Sequence, residues 1–194
     1  MKIYSDGTRV LDWAEAEIII RTYADSLKHS KKVDHNQLNA LQQILLLIGA
    51  SEKELNGNIR LQKEAFLVAN EYLDYERKLE DLRFVPYRLG PYSFKLAELT
   101  NALIISGYLG YRGRKNSNNQ AYYLTSKGRN IFNKLRKSNS KLAKTITMAR
   151  KELDEFSPAG LLRYIYSKPE YRKYTTKSTV KKLYMDVTWG RHGA

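Results

Sequence analysis

The sequence predicts a mainly helical domain that carries one small β-hairpin. Three observations predict it. Apolar residues recur at steps of three and four in one segment after another, the spacing of a helix face. Short β-type runs occur at Tyr108 to Gly113 and Ala121 to Leu124, on either side of a polar, turn-rich stretch, which is the pattern of a hairpin. The hydrophobic content of 42% over 194 residues is enough for a single core, so one domain, or one domain with an appendage, is the default.

The elements follow in order. Leu11 to about His29 is the first helix, with Trp13, Ala16, Ile20, Tyr23 and Leu27 on one face and acidic residues in its first turns. Asp34 is a good N-cap for a second helix to about Ile48, with Leu38, Leu41, Leu45 and Ile48 inward and Gly49 at its end. Asn56-Gly57 marks a turn. A third helix runs from about Ile59 to Leu73 with Leu61, Ala65, Val68 and Tyr72 inward and Phe66 beside them. Residues 74–91 form a charged linker with a short strand, Arg83 to Val85. Pro91 sits near the next helix start, where its missing N–H costs nothing.

That next helix continues to Ser106, and Gly107 caps it. The hairpin follows, its tip formed by Arg114 to Asn119. Thr125 then caps a long helix in which Leu142, Ile146, Ala149, Leu153 and Phe156 form a stripe. The stripe has two readings: pairing with its twin in a homodimer, or packing on the chain's own tail helices. Pro158 interrupts this helix, and Ala159 to Tyr166 and Val180 to Met185 form further helices.

Composition excludes several classes of function. The longest uncharged apolar run, Ile44 to Ala50, is far short of a membrane span. The first residues lead into an acidic amphipathic stretch rather than an apolar one, so no secretory signal is expected and a soluble, cytoplasmic protein is. Zero cysteines remove disulfides, thiolate catalysis and Cys-ligated zinc. His29, His35 and His192 lack a nearby carboxylate ligand set, so solvated histidines are expected and no metal or cofactor is. Glu152, Asp154 and Glu155 lie beside Arg150 and Lys151, which reads as surface ion pairing. Neither a phosphate-binding glycine loop nor a nucleophile elbow is present, so no catalytic residue is assigned and no enzymatic activity is expected.

The charge is segregated. Residues 1–107 carry 14 Lys+Arg and 15 Asp+Glu, net −1, whereas residues 108–194 carry 20 and 5, net +15. Nine of the 15 tyrosines fall in the second half, often beside basic residues, as in Tyr171-Arg172-Lys173-Tyr174. Such asymmetry points to a polyanion-binding surface, and tyrosines can bond phosphates or stack on bases. A merely solubilising surface would scatter its charge evenly.

Three helices, a hairpin and a returning helix is the order of a winged helix-turn-helix. Leu103-Ile104-Ile105-Ser106-Gly107-Tyr108-Leu109, the polar hairpin and Tyr122-Tyr123-Leu124-Thr125-Ser126-Lys127-Gly128-Arg129 together resemble winged-helix transcription regulators. In that group a glycine turns the chain out of the recognition helix and a Leu-Thr-x-x-Gly phrase opens the helix after the wing. Arg60-Leu61-Gln62-Lys63, Phe66-Leu67 and Tyr87-Arg88-Leu89-Gly90-Pro91-Tyr92-Ser93, with Leu161 to Tyr171, are also similar to prokaryotic winged-helix proteins and, more distantly, to the Panacea-type antitoxin domain. The expected organisation is an N-terminal helical extension (1–33), a winged-helix domain (34–137) and a basic C-terminal helical region (138–194).

The resemblance makes Ser93 to Ser106 the candidate recognition helix. Leu96, Leu99 and Leu103 define its buried stripe, leaving Phe94, Ala97, Glu98, Asn101 and Ile105 outward. For a major-groove reader that face is poor: Asn101 can read adenine and Ser93 and Lys95 flank it, but Glu98 opposes phosphates. The wing offers Arg112, Arg114 and Lys115, and the following helix adds Lys127, Arg129, Lys134, Arg136 and Lys137 as phosphate contacts. The expected function is a DNA-binding regulator that grips double-stranded DNA as a homodimer. Its first rival is an antitoxin-like module that binds a partner protein through Phe94 and Ile105, its second an RNA-binding factor using the tyrosine- and lysine-rich tail.

Overall fold

The computed structural model describes residues 39–73, 82–114 and 120–174, together with Lys2, Ile3, Arg9, Val10, Ile18 and Arg21. Lys2–Ile3 (β1) and Arg9–Val10 (β2) pair antiparallel. Ile18 and Arg21 are helical; the rest of the helix expected over 11–29, the Asp34 cap and the helix expected over 180–185 lie outside the described residues.

The first fully described helix, α1 (Ala40–Gly49), starts five residues beyond the expected Asp34, at Asn39. The Asn39 carboxamide accepts from the Gln42 N–H at 2.9 Å and the Gln42 side chain accepts from the Asn39 N–H at 3.1 Å, a reciprocal cap. Ile44 through Ile48 are all buried, because α1 is surrounded by α3, α4, α5 and strand β7, introduced below. A helix covered on every side needs no polar face.

Strand β3 (Leu55–Asn56) leads through Gly57, whose φ of +84° turns the chain into helix α2 (Asn58–Leu67). The last turn widens into a π-helical segment, Val68–Tyr72. Leu61, Ala65, Phe66 and Val68 are buried as the stripe predicts, but so are Arg60, Gln62, Lys63 and Glu64. Arg60 donates to Glu64 at 2.8 Å, to the Leu153 carbonyl at 3.1 Å and to the Phe156 carbonyl. Arg150, fully buried, meets the other Glu64 oxygen at 2.8 Å and Asp154 at 3.0 Å. Two guanidinium groups thus share two carboxylates inside the protein. Arg150 and Asp154 are core ligands of this network rather than surface ion pairs, because α5 turns that edge toward α2.

Residues 85–92, expected as the end of a linker, form a second hairpin. Strand β4 (Val85–Tyr87) pairs with β5 (Gly90–Tyr92) in the register Val85↔Tyr92, Pro86↔Pro91, Tyr87↔Gly90. Pro91 is therefore a strand residue and not the first residue of a helix. Arg83, expected in a strand, has φ +53° and lies before it. Helix α3 (Phe94–Ile105) begins at Ser93, whose hydroxyl accepts from the Leu96 N–H at 2.9 Å. Gly107, at φ +72°, ends it.

Strands β6 (Leu109–Arg112) and β7 (Ala121–Leu124) form the expected hairpin, and β3 pairs on the other edge of β7, giving the antiparallel order β3-β7-β6. The long helix expected after Thr125 is two helices, α4 (Ser126–Ser138) and α5 (Ser140–Leu153), broken at Asn139 with φ −124° and ψ 48°. Leu142, Ile146, Ala149 and Leu153 are at most 6% exposed. They pack on α1 and the π-helical turn, so the stripe belongs to the core of one chain and does not present a dimer seam. Ser157 caps α6 (Pro158–Ser167) through the Gly160 N–H at 3.0 Å, with Pro158 in its first turn. A 3₁₀ segment, Pro169–Tyr174, follows and places Tyr171 and Tyr174 edge-on to Phe66 at 4.9 and 5.0 Å. One hydrophobic core thus runs from α1 through α6. The described residues form a mainly helical protein with small antiparallel sheets, and no helix among them is long and apolar enough to cross a membrane.

Candidate nucleic-acid interface

Helix α4 lies on α1 through Phe132 and Leu135, and Gly49 lets it approach: a Cβ there would sit 2.6 Å from both Phe132 and Leu124. Its start is fixed to the hairpin. The Thr125 hydroxyl accepts from the Gly128 N–H at 3.1 Å and donates toward the Gly107 carbonyl at 2.6 Å. Gly128 lies against the Tyr108 carbonyl so closely that any side chain would collide with it. This is the physical content of the Leu-Thr-x-x-Gly phrase: one hydroxyl joins the end of α3 to the start of α4, and the glycine permits the contact.

With Gly128, Phe132 and Leu135 inward, the helical period sorts the exposed residues of α4. Lys127 and Lys134 line one flank and Arg129 and Arg136 the other, with Asn130, Asn133 and Lys137 between them. All seven are exposed. The Lys127 ammonium donates to the Ser106 carbonyl at 3.0 Å and stands 4.1 Å from the Tyr108 ring centre, so its flank adjoins the C-terminal end of α3. The Arg129 and Arg136 guanidinium groups lie 5.6 and 5.8 Å from the Phe132 ring. Stacking of this kind restrains both side chains without neutralising them.

On the β6–β7 hairpin, Arg112 is 73% exposed, pairs with Glu54 at 3.2 Å and lies 5.5 Å from the Tyr123 ring. An ion pair this exposed is worth at most about 1 kcal/mol, so it does not hold the guanidinium from a phosphate. Arg114 is exposed at the end of β6. Lys115 lies outside the described residues.

The candidate recognition helix is less open than its sequence suggests. Leu96, Leu99 and Leu103 are buried as expected, but so is Ala97, and Lys95, Glu98, Asn101 and Ile105 are half-buried. Ser93 is withdrawn altogether: at 0% exposure its hydroxyl caps α3 and donates to the Leu82 carbonyl, while its backbone exchanges two hydrogen bonds with Gln62. It has no atom left for a phosphate. Phe94, 43% exposed, packs with Tyr87 and Tyr92 at ring separations of 5.4 and 5.0 Å. The β4–β5 hairpin therefore stands against the N-terminal turn of α3.

Below that hairpin, Lys63 is 2% exposed and donates to the Pro91 carbonyl at 2.7 Å. Burial brings its ammonium down from 10.5 to about 7. Glu64 moves the other way: burial raises its carboxyl above the ordinary value against the pull of Arg150 and Arg60. A second polar cluster ties the tail to the π-helical turn, where Glu71 accepts from Tyr164 at 2.7 Å and Lys168 at 2.8 Å.

The residues that single-segment reading missed are on α5. Lys141, Lys144 and Lys151 are exposed on the side away from Leu142, Ile146 and Leu153. A sequence signal for them exists: between Glu98 and Glu152 there are twelve Lys or Arg residues and no carboxylate. No family model matches the chain, and neither a curated protein nor a solved structure matches it.

Proposed function

We propose that the chain is a winged-helix DNA-binding protein that grips duplex DNA mainly through its backbone, in the service of transcriptional regulation. The order α1-β3-α2-α3-β6-β7 with sheet order β3-β7-β6 supports the winged-helix reading; the β4–β5 hairpin is then an insertion between the second and third helices. The observation that carries the DNA reading is the exposed α4 face, cationic on both flanks and embedded in a stretch without carboxylates. Such a surface neutralises phosphates without reading sequence.

The test is a salt series on a duplex, comparing the protein with a variant carrying Lys127→Gln, Arg129→Gln, Lys134→Gln and Arg136→Gln. Four lost phosphate contacts correspond to a change of about 3.6 in the log–log salt slope. An unchanged slope overturns the assignment of these residues. The rival, a module that binds a partner protein, is favoured by one observation: the exposed Phe94 and Val85 (43% and 38%) beside Tyr87 and Tyr92 at the start of α3.

A further inference from the structure

We propose that the lysine row of helix α5, Lys141, Lys144 and Lys151, is a second phosphate-contact surface that continues the grip of α4 past the break at Asn139. The inference rests on the duplex-binding reading above and extends it to a helix that reading does not use.

The buried side of α5 fixes which way the row faces. Arg150 is locked inside by Glu64 at 2.8 Å and Asp154 at 3.0 Å, and Leu142, Ile146, Ala149 and Leu153 fill the same side. Positions 141, 144 and 151 then fall on the opposite side, around Met148, which is 64% exposed. The network takes up Arg150, the one cation of α5 that points inward, together with Asp154, while Glu155 beyond it stays exposed. Glu152, at the end of the row, accepts from the Tyr72 hydroxyl at 2.8 Å.

The dimensions suit a nucleic-acid backbone. Ten residues of α-helix span about 15 Å, over which one strand of a duplex presents about four phosphates. Three long, flexible ammonium side chains over that length track a backbone as point charges and impose no register on the bases. Because α4 and α5 both pack on α1, the two helices are held in a fixed relation while Asn139 changes their direction. A bound duplex would then be contacted at two places along its length, and affinity should require more base pairs than a wing and one helix can cover.

The experiment measures the affinity of the full chain for a 30-base-pair DNA duplex across a salt series, with four proteins: the unsubstituted chain, the fourfold α4 variant above and two further variants. The variant K141Q/K144Q/K151Q should lower the steepness of the log–log salt slope by about 2.7. A charge-matched control, K53Q/R83Q/R88Q, should change it by less than about 1, the loss of a single contact. Equal losses in both variants would mean a net-charge effect and overturn the proposal, as would an unchanged slope in the α5 variant. If the unsubstituted protein binds the duplex but only the α4 substitutions weaken it, the α5 proposal alone fails. If it does not bind the duplex, or binds a double-stranded RNA of equal length more tightly, the duplex-DNA reading fails with it. Circular dichroism of each variant confirms that helix content is retained.

Discussion

Lys63 shows how far burial can move a single group in this protein. Burial strips water from its ammonium, so folding favours the neutral amine, at about 7 in the folded state against 10.5, and that amine can still donate to the Pro91 carbonyl. The unfolded chain therefore binds the extra proton between these values, and the penalty, full below pH 7, is relieved as pH rises toward 10.5. We expect the stability of the protein relative to Lys63→Met to increase between pH 6.5 and 9.5, read as the difference in urea midpoints. A constant difference would mean that Lys63 does not titrate in that window. Glycines make a second case in which a local rule is overridden. Gly49→Ala should gain up to about 1 kcal/mol of helix propensity, but the new Cβ meets Phe132 and Leu124 at 2.6 Å. Overpacking of about 1–3 kcal/mol outweighs the gain, so thermal melting should show a loss. Gly128→Ala should cost more, because the obstacle is the Tyr108 carbonyl rather than a movable side chain.

Among the elements, the parts written in local chemistry were legible in the sequence. The cap of α4 by Thr125, the turn at Gly107, the β6–β7 hairpin and the buried Leu96, Leu99 and Leu103 follow from residue type and spacing. What was not legible depends on distant partners. Nothing near Arg150 and Asp154 in sequence says that Glu64, 86 residues from Arg150, will draw them inside. The helix pattern also ran through Asn139 without a break, since neither glycine nor proline marks it. Pro91 suits a helix start as well as a strand, and only its pairing with Pro86 decides for the strand. The site was half legible. The exposed cations of α4 could be named from charge, the burial of Ser93 could not be foreseen because a capping serine and a phosphate-binding serine look alike, and the exposed lysines of α5 were passed over by reading their helix for apolar spacing. The buried network gives the test at this level. Glu64→Gln leaves two buried guanidinium groups with Asp154 alone, which should cost about 3–5 kcal/mol. At a few degrees per kcal/mol for a chain of this size, the melting temperature should fall by roughly 10 °C; a fall of only a degree or two would show that water or relaxation compensates the charges.

For the molecule as a whole, the decisive feature is that cations and reading surface do not coincide. Exposed cations are grouped on the β6–β7 hairpin, α4 and α5, whereas α3 offers Lys95 and Asn101 half-buried and a ring cluster at its first turn. A bidentate contact from asparagine to adenine discriminates by about 1–3 kcal/mol where it is made. With Lys95 and Asn101 half-buried, we expect Asn101→Ala and Lys95→Ala each to change affinity less than threefold, and equally for all duplexes in a competition series. Loss of the α4 charges should weaken every duplex alike. Phe94→Glu separates the two functional readings in the same assay: it places a carboxylate in the exposed ring cluster, away from the α4 flanks. Under duplex gripping, DNA affinity changes little with Phe94→Glu; under the partner-binding rival, it is capture of the partner that fails. A preference of more than a hundredfold for one duplex, abolished by Asn101→Ala, would instead mean that α3 reads the groove.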